Sequence, residues 1–242
     1  MKRYGYVLRA VCIIPYCFIL SLTAILMPVQ LESPFVDVFW DCIFGKISAG
    51  ELTTITLSLE SIGAVFLFCL LFGDYVAQYF GSVSVYIFTR IRDRRKWAMR
   101  KICGLLGYAL MFSLLDVLFK IFEARIQVAD WGNMADTWKA IIASLLLLFL
   151  LVSTVAILVN FWATRFGVAV GVVVALVVIV LLDLIAISYF DNVVNQLLNP
   201  LCFNESILQK PILVLVKLLI SASYPAALAL LYAETVKRMD IF

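Results

Sequence analysis

The chain contains no histidine, which removes the commonest proton shuttle and the commonest metal ligand. Its six cysteines (Cys12, Cys17, Cys42, Cys69, Cys103 and Cys202) form neither a CxxC pair nor a zinc-type spacing. A GxxxxGKS/T phosphate loop is missing, which excludes P-loop ATP binding. HExxH and GxSxG are missing as well, which removes the usual zinc-protease and serine-hydrolase arrangements. Charge is scarce: 14% of residues, against about a quarter in an ordinary soluble domain. No long polar stretch exists either. The largest segments between apolar runs, 32–54 and 74–101, fall below the roughly 50 residues of a small independent domain. Any soluble machinery must therefore belong to another chain.

What is present is apolar. Hydrophobic residues are 64% of the sequence and the mean hydropathy is +1.07. Six apolar runs cover Ala10–Leu31, Ile55–Phe72, Ile102–Phe122, Ala140–Val159, Phe166–Phe190 and Pro211–Tyr232. Each approaches or exceeds the roughly 20 helical residues that cross a bilayer. Aromatic residues crowd their ends: Phe39, Trp40, Tyr75, Tyr79, Trp97, Trp131, Trp138, Trp162 and Tyr189. Trp and Tyr prefer that interfacial level. The first run follows Lys2, Arg3 and Arg9 but offers no small-x-small cleavage site. It reads as an uncleaved anchor, bent near Pro15. The expected fold is thus all-α: one transmembrane domain over 1–242 with six spanning helices.

Orientation follows from the basic residues between the runs. With the N-terminus inside, the cytoplasmic segments hold Lys2, Arg3, Arg9, Arg90, Arg92, Arg94, Arg95, Lys96, Arg100, Lys101, Arg165, Lys237 and Arg238. These are thirteen of the 19 basic residues. The flipped arrangement would place the densest cluster outside, so the expectation is N-in and C-in. Cys42 and Cys202 then both lie in outer loops and could form a disulfide, although spacing alone does not fix the geometry.

The most distinctive local pattern lies between the second and third runs. An amphipathic stretch, Tyr75-Val76-Ala77-Gln78-Tyr79-Phe80, leads into Arg90-Ile91-Arg92-Asp93-Arg94-Arg95-Lys96-Trp97-Ala98-Met99-Arg100-Lys101. Aromatic and aliphatic residues beside a basic run suit a segment lying in the headgroup plane. Anchoring on anionic lipid and docking of a protein both explain it, and the seven basic residues in twelve positions exceed what topology needs.

Within the runs, Glu60, Asp116, Asp183 and Lys217 are charged, each costing a few kcal/mol in a membrane unless paired or hydrated. Asp183 and Lys217 lie at matching depths, and Asp116 and Lys120 share a face at four-residue spacing. Ion pairs that pin helices, or a polar outer vestibule, would both use them. The stripe Gly167-xxx-Gly171-xxx-Ala175 allows close helix approach, either to a second copy or to a neighbouring helix of the same chain.

The pattern Arg90-xxx-Arg94-xx-Trp97-xxx-Lys101 running into a helix resembles the cytoplasmic loop of bacterial type-2 ABC exporter permeases. The ending Val236-Lys237-Arg238-Met239-Asp240-Ile241-Phe242 is similar to the family's short basic-then-Asp terminus. The resemblance implies a non-catalytic permease of the bacterial plasma membrane. Two separate ATPase subunits would hold ATP and Mg, with no cofactor in this chain. The second permease would be identical or homologous, its interface would use the first and fifth spans, and no nucleic acid would be bound. It further implies a coupling segment after the second span (Tyr79, Arg90, Arg94, Trp97, Lys101) and a hairpin-like outer segment over Asp191–Lys210. Export of an amphipathic or antimicrobial peptide is the cargo class it suggests. The chain departs from many family members in having only about nine residues before its first run, where they carry a longer amphipathic helix. The alternative is a membrane scaffold or sensor whose basic loop binds anionic lipid or a cytoplasmic regulator.

Overall fold

A computed structural model describes residues 9, 11–15, 35–44, 63–80, 93–127, 132–189, 192–201 and 210–238. Among them the chain is helical with no strand. After a short piece at Arg9 and 11–15 come α1 (Phe35–Phe44) and α2 (63–72). The segment after α2 continues through a turn into the 3-10 helix Ala77–Phe80. Then follow α3 (Arg94–Gln127), α4 (Met134–Phe166), α5 (Val168–Ser188), the six-residue α6 (Val193–Leu198) and α7 (Pro211–Arg238).

Five stretches are long and apolar enough to cross a membrane: Gly63–Phe80, Arg94–Ile126, Met134–Phe166, Val168–Ala186 and Pro211–Arg238. They correspond to the last five of the six apolar runs. The first run is described only at 11–15, so its crossing and the bend near Pro15 lie outside the described residues. Glu60, Arg90 and Cys202 lie outside them too, as does the side chain of Cys42.

Helix ends differ from those expected of the apolar runs. The third was expected from Ile102, yet α3 starts at Arg94, so the basic run from Arg94 to Lys101 forms its first two turns. Asp93 provides the start: its carboxylate accepts from Lys96 N–H at 3.0 Å and its carbonyl from Trp97 N–H at 3.2 Å. That is a side-chain N-cap, which hydropathy does not register. At 34 residues, α3 is roughly 50 Å long, well beyond a hydrocarbon core of about 30 Å. Similarly, α4 was expected over Ala140–Val159 but begins at Met134, where Asn133 accepts from Ala135 N–H at 3.1 Å.

α4 is the central helix, touching α1, α3, α5, α7 and the 3-10 turn. It joins α5 through Gly167 alone, whose φ of 94° lies in the region open mainly to glycine. α2 packs on α3 through Phe68 against Phe112 (5.2 Å between ring centroids) and Phe72 against Tyr108 (4.8 Å).

Candidate functional site at the basic end

The N-terminus of α3, the C-termini of α2, α4 and α7, and Arg9 gather at one end of the bundle. Arg165 of α4 and Arg238 of α7 line one cleft there, and Asn160 of α4 reaches the segment after α2. Arg94, Arg95, Lys96, Arg100, Lys101, Arg165, Lys237 and Arg238 make this end strongly basic.

Capping by Asp93 sets the helical phase of α3, so Trp97 and Lys101, four residues apart, share a face. The 3-10 turn presents Tyr79 and Phe80 to that face. Trp97 meets Tyr79 edge-on at 5.7 Å and Phe80 at 5.8 Å, while the Lys101 ammonium sits 4.0 Å from the centre of the Tyr79 ring. Tilted aromatic pairs and a cation over a ring each contribute on the order of 1 kcal/mol. Three of the five residues expected in the coupling segment are thus in mutual contact. Arg94 is half-buried, one turn before Trp97, while Arg95, Lys96 and Arg100 are exposed.

The turn behind this cluster is fixed from below. Asn160, fully buried on α4, accepts from Val76 N–H at 2.8 Å and donates to the Phe72 carbonyl at 3.1 Å and its own Ala156 carbonyl at 2.9 Å. One amide therefore spans the break where α2 stops, satisfying backbone groups that a membrane would leave without water. Arg9 adds a second tie: its guanidinium pairs with Asp74 and donates to the Leu71 carbonyl. Segment 73–80 is accordingly bound to α3 by aromatic contact, to α4 by Asn160 and to the chain's start by Arg9. Neither Asn160 nor Asp74 stands out in the sequence. Their signal is an asparagine immediately after one apolar run and an aspartate just past the end of another.

Charged residues inside the bundle occupy the opposite half. Asp116, Lys120 and Glu123 are all buried on one side of α3, and Lys120 Nζ pairs with Glu123 at 3.0 Å. Ser113 lies on the same face, its hydroxyl bonded to the Ala109 carbonyl at 3.0 Å. On α7, Lys217 is fully buried and donates to the Gln196 and Asn199 carbonyls at the end of α6. A cation there complements the orphan carbonyls of a helix C-terminus. Asn199 Nδ2 in turn donates to the Leu182 carbonyl of α5 at 2.7 Å. Asn199 thus links the α5 backbone at Leu182, the residue before Asp183, to the Lys217 ammonium. Over 192–201 the chain turns back between α5 and α7 rather than spreading beyond them. Residues 202–209 of that segment lie outside the described ones.

The small-residue stripe packs within the chain. A methyl group on Gly171 would stand 2.5 Å from the Val159 carbonyl oxygen and 2.9 Å from the Ala163 nitrogen of α4, and Ala175 is buried as well. Gly171 is what lets α5 lie directly on the α4 backbone after a one-residue turn. Gly167 itself is exposed at that turn.

No family model, curated protein or solved structure matches this chain.

Proposed function

We propose that this chain is the permease subunit of a membrane transporter driven by a separate ATPase, with the basic end in the cytoplasm as the docking surface. One observation carries the reading: the contact cluster of Tyr79, Trp97 and Lys101 on a turn held by Asn160. A surface that must transmit a push has to be stiff and joined to the spanning helices. This one is joined to α3 and α4, the two longest. Trp and Arg beside a charged cluster are also the residue types that anchor protein interfaces most often.

The resemblance to type-2 ABC exporter permeases supplies the finer reading. Two ATPase subunits carry ATP and Mg, a second permease completes the path, and an amphipathic peptide is the cargo class. ATP-driven closure of the ATPase pair would move segment 73–101, and α3 and α4 with it. The polar half of the bundle around Asp116, Lys120 and Lys217 would then line the outer part of the path. The experiment is affinity purification of the tagged full chain from membranes with the proteins bound to it, followed by assay of ATP hydrolysis. Retention of an active ATPase in equal ratio is expected. A full chain that leaves the membrane with no nucleotide-hydrolysing partner overturns the reading.

A further inference from the structure

A second feature of the basic end is separate from the Tyr79–Trp97 cluster. A cleft of about 440 Å³ opens between the last turn of α4 and the last turns of α7, lined by Arg165, Leu231, Glu234, Thr235 and Arg238. Its charges do not cancel. Glu234 is shared by two cations, with Arg238 Nε at 3.1 Å and Lys237 Nζ at 3.7 Å. Arg165 is exposed, its guanidinium 4.9 Å from the Phe161 ring, and has no carboxylate partner among the described residues. The bond from Arg238 to Glu234 engages Nε alone, one of five guanidinium donors. Two arginines and Thr235 therefore frame one opening with excess positive charge.

The surroundings decide which anion fits. Leu231 in the cleft lining, its chain neighbour Leu230, and Phe166 next to Arg165 are large, apolar and exposed, on helices long and apolar enough to cross a membrane. A ligand with a charged head and apolar tails satisfies both zones, whereas a free anion meets only one. Planar guanidinium groups bind phosphate oxygens in pairs, and basic clefts between spanning helices suit anionic headgroups. We infer that this cleft binds the phosphate headgroup of an anionic glycerophospholipid, held between Arg165 and Arg238, with its acyl chains along Phe166 and Leu231.

The test titrates the solubilised full chain with phosphatidylglycerol, with phosphatidylcholine and with inorganic phosphate, reading the shift in Tm. Saturable stabilisation by phosphatidylglycerol alone is expected. Arg165→Gln with Arg238→Gln should weaken it about thirtyfold, near fivefold for each charge removed at a membrane surface. A charge-matched control, Lys96→Gln with Arg100→Gln, should leave it near the parent value. Folding of each variant is checked by monodispersity and helical circular dichroism. Equal stabilisation by phosphatidylcholine, or an equal loss in the control, contradicts a built site. An equal response to inorganic phosphate makes the ligand a free anion and overturns the lipid assignment. The inference stands apart from the transporter reading, because the titration involves no ATPase.

Discussion

At the basic end a neutral amide, Asn160, holds the break after α2; at the opposite end an ammonium, Lys217, holds the six-residue α6. Both side chains are fully buried, and both satisfy backbone groups at an interruption in the helices. In a membrane such groups have no water to turn to, so one well-placed polar side chain stabilises each irregular segment. The chemistry differs with what is to be held. Asn160 both donates and accepts, which suits a turn with an open N–H and an open carbonyl. Lys217 only donates, which suits the carbonyl-rich end of a short helix. The basic-end turn carries aromatic and charged residues outward to a surface, whereas α6 folds inward between α5 and α7. The first arrangement presents a surface; the second closes the bundle.

The sharpest way to break the opposite half is at α3. Lys120→Met removes the ammonium 3.0 Å from the buried Glu123 carboxylate, and the loss should reach about 3–5 kcal/mol in denaturant unfolding of the detergent-solubilised chain. Adding Glu123→Leu should recover most of it, because removing both charges also removes their desolvation cost. A double variant as unstable as the single one would mean that the pair is not the stabilising contact.

Gly171→Leu should cost about 2–3 kcal/mol, since a side chain there forces α5 off the α4 backbone. Thermal unfolding and native mass spectrometry separate the two packing partners. Loss of a dimer of the chain with unchanged monomer stability would place the stripe on an intermolecular face instead.

Asn160→Ala should cost about 2 kcal/mol, because Val76 N–H loses its acceptor inside the bundle. Hydrogen exchange at Val76 and Gln78 should accelerate, while α6 is unaffected. Smallest is Arg9→Ala: a half-exposed ion pair contributes under about 1 kcal/mol, and only the protection of segment 73–76 should change.

Much of this was legible in sequence, for reasons that also explain the failures. Apolar runs locate spanning helices because the bilayer imposes a length, and five of the six runs are seen as helices. Trp97 and Lys101 were readable as a pair from four-residue spacing. Glu123 was not, because α3 runs on to Gln127 past the last apolar residue of its run. Asp116 lies inside that run at four-residue spacing from Lys120, whereas Glu123, three residues on, stands just past its end at Phe122. Asn160 was hidden because its partners lie 84 and 88 residues away, and an isolated asparagine at the end of an apolar run carries no sign of them. α6 is too short for periodicity, and its capture by Lys217 depends on the tertiary path of 192–201.

The proposed docking account is tested most directly at Arg94 and Trp97, assayed in the complex with ATPase subunits that it predicts. Replacing both by Ala should abolish the response of ATP hydrolysis to cargo and sharply reduce export, with insertion and topology unchanged. Arg90→Lys with Arg94→Lys separates docking from lipid attraction, since it keeps charge and removes guanidinium geometry; it should also impair export. Normal export by the Ala and the Lys variants, with the ATPase still bound, would contradict the account and leave the cluster as a topology signal alone.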